Sequence, residues 1–109
     1  LNNVNYILLV DTYDNNKIKV SLKNKDNVID VTINIDVYLD NSHVFINPAI
    51  KQNGLLKELK KKRIIKEINN SIFYNNLEIP IATLNMGIIR KYDNKGVNNH
   101  FNKVRGNNG

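Results

Sequence analysis

The chain of 109 residues contains no cysteine. That excludes a disulfide framework, a thiolate nucleophile and a cysteine-ligated zinc site. No stretch approaches the run of about 18 apolar residues that marks a membrane-crossing helix. The apolar segment at residues 6–10 stops at Asp11. There is no glycine-rich phosphate loop, no Walker sequence and no dinucleotide fingerprint. The amino end shows neither a basic leader nor a small-residue cleavage site, so no retained signal peptide is expected, and an intracellular location is. Alanine, arginine and glycine are scarce, at two, three and five residues, whereas Asn, Ile and Lys number 22, 15 and 13. The abundant residues are spelled by AT-rich codons. An AT-rich genome is the simplest cause, such as a low-GC bacterium, its phage or plasmid, or an organelle. Part of the lysine excess is then mutational bias.

Bias does not explain where the lysines fall. Residues 1–50 hold four Lys and six Asp, a balance of −2. Residues 51–109 hold nine Lys, three Arg, three Glu and one Asp, a balance of +8. A cationic half on a small protein points to an anionic partner, most often nucleic acid.

The length fits one domain with one modest core. Within it, residues 28–39 alternate strictly. Ile29, Val31, Ile33, Ile35, Val37 and Leu39 lie on one side, and Asp30, Thr32, Asn34 and Asp36 on the other. This is the pattern of a strand with one buried and one wet face. Residues 17–23 alternate likewise, and Asn24-Lys25-Asp26-Asn27 between them is a polar turn. Pairing Asn24 with Asn27 sets Leu22 opposite Ile29, Val20 opposite Val31 and Ile18 opposite Ile33, which matches the apolar faces. A third strand at 4–12 joins through Tyr13-Asp14-Asn15-Asn16, with a three-residue loop and Asn15 as its left-handed residue. It presents Tyr6, Leu8 and Val10 to the shared face, and leaves Ile7 and Leu9 to be covered by the carboxyl half. Residues 44–46 form a short edge strand after the turn at 40–43.

Asn47-Pro48 opens a helix, with Asn47 as cap and Pro48 at the first position. Asn53-Gly54 interrupts it. Leu55, Leu56 and Leu59 then share one helical side, whereas Ile64, Ile65 and Ile68 fall opposite, so the helix ends near Lys62 or a new element begins at Arg63. Asn69-Asn70 and Asn75-Asn76 signal turns. Residues 72–74 and 77–82 form a small hairpin, with Pro80 implying an edge strand. Residues 83–92 suit helix or strand equally. The expected architecture is α+β: an antiparallel meander of three to four amino-terminal strands packed against a short basic helix, followed by a small irregular carboxyl β segment and a basic arm. Residues 1–92 make the domain, and 93–109, rich in Asn and Gly, make the arm.

The candidate site follows from the charge. Lys60, Lys61, Lys62 and Arg63 point in nearly all directions around a helix end. They suit a phosphate backbone rather than a single anion pocket, although the helix dipole alone also favours cations there. Arg90, Lys91, Lys103 and Arg105 extend the set along the arm, where Phe101 is placed to stack on a base. The expected function is a non-enzymatic backbone binder, for RNA rather than DNA, within a larger assembly such as a ribosome-like particle. The alternative is a small inhibitor or accessory module of phage or plasmid origin that docks an acidic protein surface, by β-addition to a sheet edge. No catalytic residue, metal site or cofactor is expected. Asp11, Asp14, Asp30, Asp36 and Asp40 read as surface acids, because no base or phosphate cradle accompanies them. A hydrolase would need Asp11, Asp36 or His43 to meet in a cleft. The run Asp40, Ser42, His43 resembles a triad in order alone, and His43 and His100 without cysteine make no zinc signature.

Overall fold

The computed structural model describes residues 6–40 and 43–108. The fold is α+β, with two three-stranded antiparallel sheets, two short helices and a long carboxyl-terminal helix. Val4, Asn5, Asn41, Ser42 and Gly109, on which parts of the expected first strand, the 40–43 turn, the triad-like run and the arm fall, lie outside the described residues.

The first sheet is the expected meander, ordered β1 (Ile7–Thr12), β2 (Ile18–Lys23), β3 (Val28–Asp30). Leu8 faces Leu22 and Val10 faces Val20, so the apolar rows coincide. The loop from β1 to β2 has three residues, closed by Tyr13 N–H donating to Lys17 O at 2.8 Å. Its left-handed residue is Asn16, at φ 70°, not Asn15. A type I turn followed by one left-handed residue requires that position. Leu22 lies opposite Ile29 as expected. Beyond Asp30 the alternation misleads. The amides of Val31 and Thr32 both donate to Val20 O, at 2.9 and 3.3 Å. Two residues thus oppose one, which is a β-bulge that bends the strand away. Ile18 therefore never meets Ile33. Instead Ile33 N–H donates to Phe45 O at 3.0 Å, and Thr32 bridges Ile46.

That bend carries the chain onto a second sheet, ordered β4 (His43–Phe45), β6 (Leu77–Leu84), β5 (Ile65–Tyr74). The β5–β6 hairpin is longer than the sequence suggests, and Asn75 and Asn76, both at positive φ, make its two-residue turn. Strand β6 is central rather than an edge, despite Pro80. The Pro80 carbonyl accepts Ile46 N–H at 2.9 Å, just past the end of β4. The proline's missing donor thus falls where the ladder is already ending. Strand β6 is apolar on both faces. Ala82 and Leu84 join the main core with Leu8, Val20, Leu22 and the α2 leucines. Ile79 joins a second cluster with Phe45 and Ile35. Ile33, Ile35 and Leu39 therefore cover the outer face of the second sheet instead of extending the first.

Asn47 Oδ1 accepts Ala49 N–H at 3.1 Å, and α1 (Ala49–Gln52) begins after Pro48. Gly54, at φ 81°, turns the chain into α2 (Leu55–Lys61). Leu55, Leu56 and Leu59 are buried, and burial of each contributes about 1.5–3 kcal/mol. The carboxyl-terminal segment corrects the sequence reading most. Residues 93–108 are not an arm but belong to α3 (Met86–Asn108), which is kinked at Asp93. This helix lies along the β1 edge, not over its outer face, so Ile7 stays 63% and Leu9 38% exposed rather than covered.

Candidate functional site

The sequence-expected residues fall on two separate elements. The first group sits at the corner where α2 turns into β5. The three buried leucines fix the roll of α2, so Lys57, Lys60 and Lys61 face solvent. The helix then ends in a Schellman motif, with Arg63 N–H donating to Lys60 O and Ile64 N–H to Leu59 O, both at 3.0 Å. Arg63 occupies the left-handed position at φ 63°, and Ile64 folds back onto buried Leu59. Lys62 and Arg63 are thereby held outward on a tight turn. Lys66 follows at a bulge of β5, also exposed. Six exposed cations, Lys57, Lys60, Lys61, Lys62, Arg63 and Lys66, thus lie within ten residues. The α2 segment is only about 10 Å long. Among the described residues the ion pair found is Lys103–Asp11, so no carboxylate lies within 4 Å of any of these six. Sequence reasoning missed Lys57 and Lys66, which flank the basic run three residues away on either side.

The second group lies on α3. Asn85 caps this helix, its Oδ1 accepting Ile88 N–H at 3.3 Å. At the kink, Asp93 uses both carboxylate oxygens. Oδ2 accepts Val10 N–H from the β1 edge at 2.9 Å, and Oδ1 accepts Gly96 N–H at 3.0 Å. A Cβ on Gly96 would stand 2.7 Å from the Val10 carbonyl, so the close approach requires glycine there. Beyond the kink, Val97 and His100 are buried and Val104 is half-buried. The cations of this group are largely engaged. Arg90 donates to Asn94 Oδ1 at 3.2 Å and Asn98 Oδ1 at 2.6 Å, and lies 5.8 Å from the Phe101 ring centre. Phe101 also meets His100 edge-on at 5.3 Å and remains 41% exposed. Arg105 donates to Asn102 at 3.0 Å. Lys103 pairs with Asp11 at 3.9 Å with both groups well exposed, an arrangement that contributes little. Lys91 is exposed. Helix α2 packs on α1 and β5, whereas α3 packs on β1.

Of the acids and histidines singled out in the sequence, Asp11, Asp36 and Asp40 are exposed, His43 is half-buried and His100 is buried. Asp11 faces Lys103, and Asp40 accepts the Tyr38 hydroxyl at 3.2 Å. No cluster of three metal-ligating side chains occurs among the described residues. His100 is buried, with Nδ1 hydrogen-bonded to Thr12 Oγ1 at 2.7 Å. Its burial lowers its pKa, with Asp11 acting in the opposite sense and Lys103 in the same one. No described helix is long and apolar enough to cross a membrane. Comparisons with protein-family models, curated proteins and solved structures found no match.

Proposed function

We propose that this protein binds nucleic acid through its phosphate backbone, without catalysis, using the α2–β5 corner as its grip. The observation that carries the reading is the cluster of six exposed cations there, none of them paired with a carboxylate among the described residues. Such a cluster retains its full charge for an external polyanion, and association releases counterions. Lys91, Lys103 and Arg105 on α3, with the exposed ring of Phe101, are auxiliary contacts, while Arg90 serves the helix itself. Single-stranded RNA is favoured over duplex DNA because Phe73 and Tyr74 on the same strand as Lys66 are 77% and 47% exposed, available for stacking on unpaired bases. A place in a ribonucleoprotein assembly is consistent with recognition of a backbone rather than of base edges.

The test is a fluorescence-anisotropy titration of a single-stranded RNA across a salt series. Six phosphate contacts give a slope of log affinity against log salt of about −4, and replacing Lys60, Lys61 and Lys62 by Gln flattens it to about −2. A salt-independent series, or one unchanged by the triple replacement, ends the reading. A second reading, docking of an acidic protein segment, is favoured by the position of β5 as a sheet edge with exposed Phe73, Tyr74 and Leu77 at its tip. It requires a partner captured after nuclease treatment to be lost on Phe73→Ser and Leu77→Ser substitution.

A further inference from the structure

Away from the cationic corner, β2, the 31–40 segment, β4 and α3 enclose a cleft of ≈ 370 Å³. This lies within the roughly 300–1,000 Å³ of small-molecule sites. It holds about a dozen water-sized groups. Its walls are largely apolar, with Ile33 from the 31–40 segment, Phe45 from β4 and Met86 and Val104 from α3. Polar side chains interrupt them, three of which are the basic residues His43, His100 and Lys17. His43 lines the cleft, and its Nδ1 is buried with no hydrogen-bond partner among the described residues. Native proteins rarely leave such an atom unpaired, because burying it without a partner is costly. His100 lines the cleft from α3 and, among the described residues, commits one of its two ring nitrogens, to Thr12. Lys17 donates to the carbonyls of Ile35, at 2.5 Å, and Val37, and stands 5.0 Å from the Phe45 ring centre. An ammonium has three donors, so one remains. Desolvation lowers the Lys17 pKa, with Asp36 opposing, as befits a cation drawn into an apolar wall. The acid of the lining, Asp40, is exposed and already accepts the Tyr38 hydroxyl.

From this arrangement we infer that the cleft binds a small organic carboxylate of about a dozen heavy atoms in all, with its apolar body against Phe45 and Met86 and its anionic head taken by His43, His100 and Lys17. The site is independent of the nucleic-acid reading, since none of the six corner cations lines it. The size and apolar walls favour an arylalkyl acid over a bare inorganic anion, which would leave most of the cleft unfilled.

Met86 is the single methionine of the chain and stands in the wall, so its ¹³C-methyl resonance is one unambiguous reporter. The experiment titrates 3-phenylpropanoate into the full chain, with 3-phenylpropanol as the uncharged counterpart and acetate as the head alone. The expected result is a saturable shift of the Met86 methyl signal with Kd below about 1 mM for the acid, and binding at least about tenfold weaker for the alcohol and for acetate. His43→Phe, which keeps the ring and removes the nitrogens, should weaken the acid by about tenfold or more, and Lys17→Met likewise. Replacing Lys60, Lys61 and Lys62 by Gln should leave the titration unchanged, which keeps this result separable from RNA binding. No shift up to about 10 mM acid, or equal affinity for acid and alcohol, overturns the inference. Both ligand comparisons are made on the unsubstituted protein and survive a variant that fails to fold.

Discussion

Arg63 stands where a helix of this kind ordinarily ends in glycine. Its left-handed backbone, at φ 63°, costs an L-residue about 1–2 kcal/mol. Arg63→Gly relieves that strain, and part of the gain is lost to the extra freedom of the unfolded chain. The net expectation is a stabilisation of roughly 0.5–1 kcal/mol, read as a higher urea midpoint at unchanged slope. The same change removes one phosphate contact and should flatten the RNA salt slope by about 0.7. Stability and binding then move in opposite directions, an outcome that a purely structural role for Arg63 does not give. His100 offers a second test at this scale. Burial holds its folded pKa below the ordinary 6.5, with Asp11 pulling it back and Lys103 pushing it further down. Between the folded value and 6.5 the unfolded chain carries the extra proton, so stability rises with pH in that window. Its contribution is whole above 6.5 and drains away as the pH falls through 6.5 toward the folded value. Urea unfolding at a series of pH values from neutral to mildly acidic should show a steeper loss in the parent than in His100→Gln.

At the scale of the element, α3 depends on one carboxylate. Asp93→Ala removes the cap of the distal half and strands the Val10 amide of the sheet edge. The combined cost is about 2–3 kcal/mol. Hydrogen exchange should report it locally, with the amides of 94–108 losing protection well before those of β2. Asp93→Asn, which keeps one acceptor oxygen, should fall between. This helix was the element hardest to read from the sequence. Asn and Gly dominate residues 93–109, both poor helix formers. Yet Val97, His100, Phe101 and Val104 carry the i, i+3, i+4, i+7 spacing of an amphipathic face, a signal masked because only three of the four are apolar. The meander was legible because period-two alternation and polar turns agree there. Pro80 misled because it sits centrally in β6, at the one place where the neighbouring ladder gives out. The basic corner was legible as charge, whereas its geometry, the Schellman turn that splays Lys62 and Arg63, depends on Ile64 docking onto Leu59.

For the whole molecule, the decisive residue is Thr32. It is 1% exposed, its hydroxyl accepts Val20 N–H at 3.1 Å, and the Tyr13 hydroxyl lies 3.0 Å away. Thr32→Val leaves a buried amide and a phenol without that partner, a loss of about 1–3 kcal/mol, whereas Thr32→Ser should cost far less. Because the residue joins both sheets, the Thr32→Val protein is expected to melt at a lower temperature in one step, with near- and far-ultraviolet circular dichroism superimposable. The two sheets were each foreseen in part, but their union was not, since the same alternation that marks a long strand also serves a segment that changes sheets midway. The bulge opposite Val20 has a further consequence. The first sheet, with strands of six, six and three residues, has little standing of its own, and it is tied to the second through residues 31–33. A peptide ending at residue 47 would carry the first sheet whole and still find no lasting fold.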